Sequence, residues 1–122
     1  MKGIDTMIKA NVKREMTNAN IIIEEGLKKI RMAECANSFV DEIFKVCELA
    51  IDNATTEYNV EIAFPYSDWN FNDNYTRQEA MDIVMTAVEM VANKIAEYGY
   101  ACQTVRYTSR NTFKAGCIII SW

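Results

Sequence analysis

From residue 18 to residue 53 no proline interrupts the chain, and Ile23, Leu27, Ile30, Ala33, Val40, Phe44, Cys47 and Ile51 recur at threes and fours, the period of one helix face. Uninterrupted, those residues form a rod of about 50 Å at 1.5 Å per residue, longer than a compact domain of this size is wide. The rod must bend or find a partner. Gly26 and the Ala36-Asn37-Ser38 patch are where a bend is expected, since glycine and short polar residues weaken a helix locally. If it stays straight, its apolar residues need another subunit to cover them, so a homodimer or a higher homo-oligomer is expected. Ahead of the rod, Ile4, Met7, Ile8, Val12 and Met16 suit a short amphipathic helix with a junction at Thr17 or Asn18. A frayed or strand-like start fits them nearly as well.

The remaining elements follow from periodicity and caps. Val60, Ile62 and Phe64 alternate with Glu61 and Ala63, the mark of a half-buried strand that Pro65 brings to an end. Thr76-Arg77-Gln78-Glu79 is a capping box, in which a threonine oxygen and a glutamate reciprocally satisfy amides at a helix start. The helix it opens should present Ala80, Val84, Ala87, Val88, Val91, Ile95 and Tyr98 to a core and stop at Gly99 in a left-handed cap. Residues 101 to 107 and 116 to 122 read as two strands joined through the polar turn 108 to 112. The predicted fold is α+β: a long N-terminal helix, then strand, helix, strand, strand, with a small antiparallel or mixed sheet and the helices on one face.

With 122 residues, one proline and four glycines, the chain offers one modest core and no linker, so a single domain over residues 1 to 122 is expected. No long uncharged apolar run occurs and the first residues lack the apolar block of a secretory signal, which predicts a cytoplasmic protein with no membrane partner. The cysteines at 35, 47, 102 and 117 have no metal-binding spacing. Cys35 and Cys47 fit a buried helix face, and Cys102 and Cys117 are placed to face each other across a hairpin, as free thiols in a reducing compartment. There is no histidine, which removes the commonest general base and every Ser-His or Cys-His nucleophile. No catalytic residue, metal or cofactor is expected.

The net charge of −4 argues against a polymeric nucleic acid, whose phosphates demand an extended basic face. Its distribution says more: residues 99 to 122 carry Arg106, Arg110 and Lys114 and no acid, so a small anion would prefer that segment. The plainer reading is that three basic side chains keep an exposed hairpin soluble. Between residues 64 and 79, five aromatic rings and three asparagines crowd a single connector. Tyr66, Trp69, Phe71 and Tyr75 are candidates to stack on a base, a contact worth roughly 1 to 3 kcal/mol each, and Arg77, Arg106, Arg110 and Lys114 are candidates to grip phosphate. Asn111 is a polar partner for hydroxyls or base edges, and the amides at the start of the capped helix offer a further anion position. The alternative use of the same rings is to plug the open end of the sheet.

Two other functions suit the sequence. Asp68, Asn70, Asn72 and Glu79 occupy the first, third, fifth and twelfth places of a calcium loop, but Asp73 stands where that loop turns on glycine and Glu79 already serves the capping box. An inhibitor that covers a protein partner with its helices is the other reading, although lysines interrupt the acids of residues 24 to 48.

In its size, long leading helix, connector from Phe64 to Tyr75 and basic hairpin around Arg106 and Arg110, the chain resembles the phage-borne sponges that defeat Thoeris immunity by sequestering its cyclic ADP-ribose signal. The resemblance implies a non-enzymatic anti-defence protein acting in the host cytoplasm. It implies dimers or larger rings that take up a cyclised adenine nucleotide without cleaving it, and separate sites for cyclic oligonucleotides in some members.

Overall fold

A computed structural model describes residues 7–66, 71, 74–107 and 114–122. Its elements are helix α1 (Ala10–Asn53), strand β1 (Asn59–Pro65), helix α2 (Arg77–Ala96), and strands β2 (Ala101–Arg106) and β3 (Lys114–Ser121). The fold is α+β, with the element order that the periodicities predict. Two compact units divide the chain, Met1–Arg31 and Met32–Trp122. Among the described residues, no helix is long and apolar enough to cross a membrane.

The junction expected near Thr17 does not form. Helix α1 already runs from Ala10, and the Thr17 hydroxyl donates back to the Lys13 carbonyl at 2.9 Å, so the residue is satisfied inside a helix rather than at its start. Ser38 donates to the Cys35 carbonyl at 2.6 Å in the same way, and neither it nor Gly26 ends the helix. In the first unit every described residue is exposed, Ile8, Val12, Met16, Ile23, Leu27 and Ile30 included.

The core lies in the second unit. Three antiparallel strands run in the order β1-β3-β2, with the most apolar strand, Ala115 to Ile120, in the middle where both of its edges are paired. Val60 and Ile62 stand opposite Ile120 and Ile118, and Cys102 and Thr104 stand opposite the same two residues, so all six share one face. Helix α2 covers that face with Val84, Val88 and Val91, and the buried stretch of α1 adds Phe39, Val40, Ile43 and Cys47 to the same cluster. Ile118, Ile120, Ile43, Val84 and Val88 have no exposed surface, and truncating any of them to alanine belongs to the class of changes that costs about 2 to 5 kcal/mol.

Gly116 sets how closely α2 approaches the sheet. A Cβ there would fall on the Val105 carbonyl oxygen and 2.5 Å from the Met85 sulfur. At the front of α2 the capping box is complete: Glu79 N–H donates to Thr76 Oγ1 at 3.2 Å and Thr76 N–H to Glu79 Oε1 at 3.0 Å. At its end Tyr98 and Gly99 donate to the Ile95 and Ala96 carbonyls, and Gly99 takes the left-handed conformation with φ 96°.

Two further expectations are corrected. Tyr98 does not join the core; it falls in the turn past the helix end and is 74% exposed. Cys102 does not face Cys117, because the strand register pairs Cys102 with Ile120 and Cys117 with Val105. Cys102 instead lies near Cys47 of α1, on the helix-covered face, and all four cysteines are free thiols.

Candidate functional site

Strand register decides what meets at the end of the sheet where β1 and β2 finish and β3 begins. Pro65 pairs with Lys114, Phe64 with Gly116 and Arg106 with Gly116, so Ala115 is an extra residue that bulges β3 at that rim. Tyr66, which follows Pro65 directly, thereby stands at the same end of the sheet as Lys114 on β3, with Arg106, the last residue of β2, on the far side of that strand. Arg77, the first residue of α2, places its guanidinium carbon 5.7 Å from the centre of the Tyr66 ring, a cation–π contact of about 0.5 to 1 kcal/mol at a site open to solvent.

The other described rings of the connector divide their roles. Phe71 is partly buried and meets Phe39 of α1 edge-on at 5.6 Å and Tyr75 edge-on at 5.9 Å. Its contacts are those of a wedge that fastens the connector to the core, and Phe64 is buried outright. Tyr66 and Tyr75 pack against the core while remaining half-exposed. Trp69, Arg110 and Asn111 lie outside the described residues, as do Asp68, Asn70 and Asn72 of the calcium pattern. Among the described residues, no group of His, Cys, Asp and Glu side chains is arranged to hold a metal ion, and Glu79 is engaged with the Thr76 amide.

Arg106 is already engaged. Its Nη1 donates to Asp82 Oδ1 at 2.9 Å and its Nη2 to Glu89 Oε1 at 3.4 Å, and Asp82 also accepts from Gln78 at 3.1 Å. All three partners of this bridge keep 40 to 47% of their side-chain surface in water, so exchange of a carboxylate for a phosphate oxygen costs little. The start of α2 is a weaker anion position than its amides alone suggest, because the Glu79 carboxylate already sits against them.

On the sheet face turned away from the helices, the Cys117 thiol donates to Glu61 Oε1 at 3.5 Å. Tyr107 has its hydroxyl pKa raised above the ordinary value, first by a hydrogen bond with Cys117, then by burial, then by the charges of Cys117 and Glu61. This cluster was invisible in the sequence, since finding it requires knowing that Glu61 sits beside Cys117 across two strands.

Comparison with known proteins finds no matching family model, no similar curated protein and no similar solved structure.

Proposed function

We propose that this chain is a non-enzymatic binding protein that takes up a small cyclic adenine nucleotide of the cyclic ADP-ribose type and holds it intact, withdrawing a signal from host antiphage immunity. One observation carries the reading: the register that pairs Pro65 with Lys114 sets the residue that leads into the aromatic connector beside the first residue of β3, at the end of the sheet where β2 finishes with Arg106. On this reading Tyr66 and Tyr75, joined by Trp69, are the stacking faces, and Arg77, Arg106 and Lys114, joined by Arg110, are the phosphate contacts. Asn111 supplies hydrogen bonds to hydroxyls, and Phe71 anchors the connector.

Sequestration asks for affinity rather than proton transfer. Outcompeting a receptor at nanomolar concentration takes about 12 kcal/mol, which exceeds one stacked ring and one ion pair, so several rings and at least two cations must converge on the ligand. A second copy of the chain is the natural source of further contacts, and the exposed apolar residues of the first unit are the surface by which copies would associate.

The test is to incubate the protein with cyclic ADP-ribose isomers, filter, denature by heat and identify what is released. Release of the unaltered nucleotide, lost in Arg110→Ala and Lys114→Ala with the melting temperature held within a few degrees, supports the reading; free nucleotide in the filtrate at micromolar protein overturns it. The same exposed stripe favours a second reading, a helix-mediated inhibitor of a protein partner. Stoichiometric capture of one protein, with no released small molecule, would select it.

A further inference from the structure

At the opposite end of the sheet, where β1 begins and β3 finishes, both helices of the second unit end around a pair of adjoining hollows of about 190 and 340 Å3 that share Ile51, Tyr98 and Tyr100. The closing turns of α1 contribute Phe44 and Ile51 as apolar wall and Glu48 and Asp52 as carboxylates. Those two acids are four residues apart, so they stand one turn above the other on the same side of the helix. The end of α2 contributes Ile95 and, beyond it, Tyr98. Tyr100, just before β2, and Trp122, just after β3, complete the wall; their rings meet edge-on at 6.0 Å, and the Trp122 amide donates to the Tyr58 carbonyl.

The charged side chains that line the hollows have one sign. Two helix C-termini, each equivalent to about half a negative charge, end there; Lys94 stands in the last turn of α2, outside the lining, whereas the last turn of α1 carries no basic residue to offset its own. Glu48 and Asp52 add two full negative charges, and among the described residues lining either hollow there is no lysine or arginine. The rings are costly to leave in water, yet Tyr98 is 74% and Trp122 43% exposed. An aromatic wall with a negative face, carboxylates on one side and two connected compartments suits an elongated cation: methylenes lie on the rings and protonated amines reach the acids.

We propose that these hollows form a binding site for an aliphatic oligoamine, a ligand of opposite charge to the nucleotide and at the other end of the sheet from it. The site stands independently of the nucleotide reading. Spermidine is the probe, titrated calorimetrically into the full chain at physiological ionic strength with no nucleotide present. The expected result is saturable one-site binding that its neutral alcohol analogue does not reproduce and that equimolar magnesium does not displace. Binding should weaken at least about tenfold in the E48Q/D52N double variant and in Tyr98→Ala. All three side chains are exposed, and circular dichroism confirms that each variant is folded; should the double variant unfold, Tyr98→Ala decides alone. Unchanged affinity in the variants, displacement by magnesium, or no saturation at millimolar spermidine would each overturn the site. Loss of nucleotide capture in the rim variants leaves this outcome untouched, so the two failures are distinguishable.

Discussion

Arg106 Nη1 lies 2.9 Å from Asp82 Oδ1, which ties the last residue of β2 to the second turn of α2 and holds the guanidinium at the rim of the sheet. The bridge is open to water, and exposed pairs of this kind contribute about 0.2 to 1 kcal/mol. Arg106→Ala should therefore lower the melting temperature by no more than a few degrees while weakening nucleotide capture at least about tenfold, with a shallower salt dependence. A large stability loss with unchanged capture would assign Arg106 to structure alone.

Gly116 and Gly99 should respond to alanine for different reasons. At Gly116 the added methyl meets the Val105 carbonyl and the Met85 sulfur, so α2 or β2 must shift; overpacking of this type costs about 1 to 3 kcal/mol. At Gly99 nothing lies within 4 Å, and the cost is confined to the left-handed backbone, about 1 to 2 kcal/mol. Urea denaturation should show the second loss and, for Gly116→Ala, partial rescue by Met85→Ala. Absence of rescue would mean that the Val105 carbonyl, which cannot move aside, is the contact that matters.

Thr76→Ala removes the side-chain acceptor for the Glu79 amide and should cost about 1 kcal/mol, whereas Thr76→Ser should recover most of it. The Arg77 and Tyr66 contact hangs on the same first turn. Thr76→Ala is thus also expected to loosen the connector, measurable as faster amide exchange at Tyr75 and Arg77 than in the serine variant.

Much of this fold was legible because its signals are local. The capping box, the alternation of Val60 to Phe64, and the apolar spacing from Ala80 to Ile95 each depend on a few neighbouring residues, and each element formed where it was read. Tyr98 misled because its spacing continues the helix period, while Gly99 just beyond it forces the turn that carries it off the core face. Thr17 misled because a threonine can end a helix or donate back into one, and the choice rests on what surrounds it. The Cys102 and Cys117 pairing depended on a hairpin register that no local signal fixes. The rim site was half legible: its two segments stood out by composition, but that Lys114 pairs with Pro65 is a property of the sheet. The opposite hollow was not legible at all, since Glu48, Tyr98, Tyr100 and Trp122 come from separate places along the chain and each reads alone as ordinary surface.

The first unit predicts self-association. Val12, Met16, Ile23, Leu27 and Ile30 follow helical spacing along α1 and are all exposed, an apolar stripe that a single chain leaves in water. Light scattering should find a dimer or larger assembly, and Ile23→Glu with Ile30→Glu should dissociate it while the second unit keeps its melting transition. A monomeric wild-type protein at micromolar concentration would refute the assignment of this stripe to a second copy.

Cys47 gives a pH signature. Burial against the sheet, with a smaller contribution from nearby Cys102, pushes its thiol up to about 12 from an ordinary value near 9. Folding therefore favours the protonated form. The stability this provides is complete below the unfolded value and falls as pH rises from about 9 towards 12, where the unfolded chain has released a proton that the folded chain retains. Tyrosines and lysines titrate over the same range, so the informative quantity is a difference between wild type and Cys47→Ala. The variant loses some packing at every pH, but its unfolding free energy should decline less steeply across this interval. Ellman's reagent reads the same burial directly: at pH 8 the folded protein should leave Cys47 unmodified until denaturant is added. Parallel pH profiles for the two proteins, or prompt modification of Cys47 in the native state, would show that the α1 end of the core opens far more readily than its packing implies.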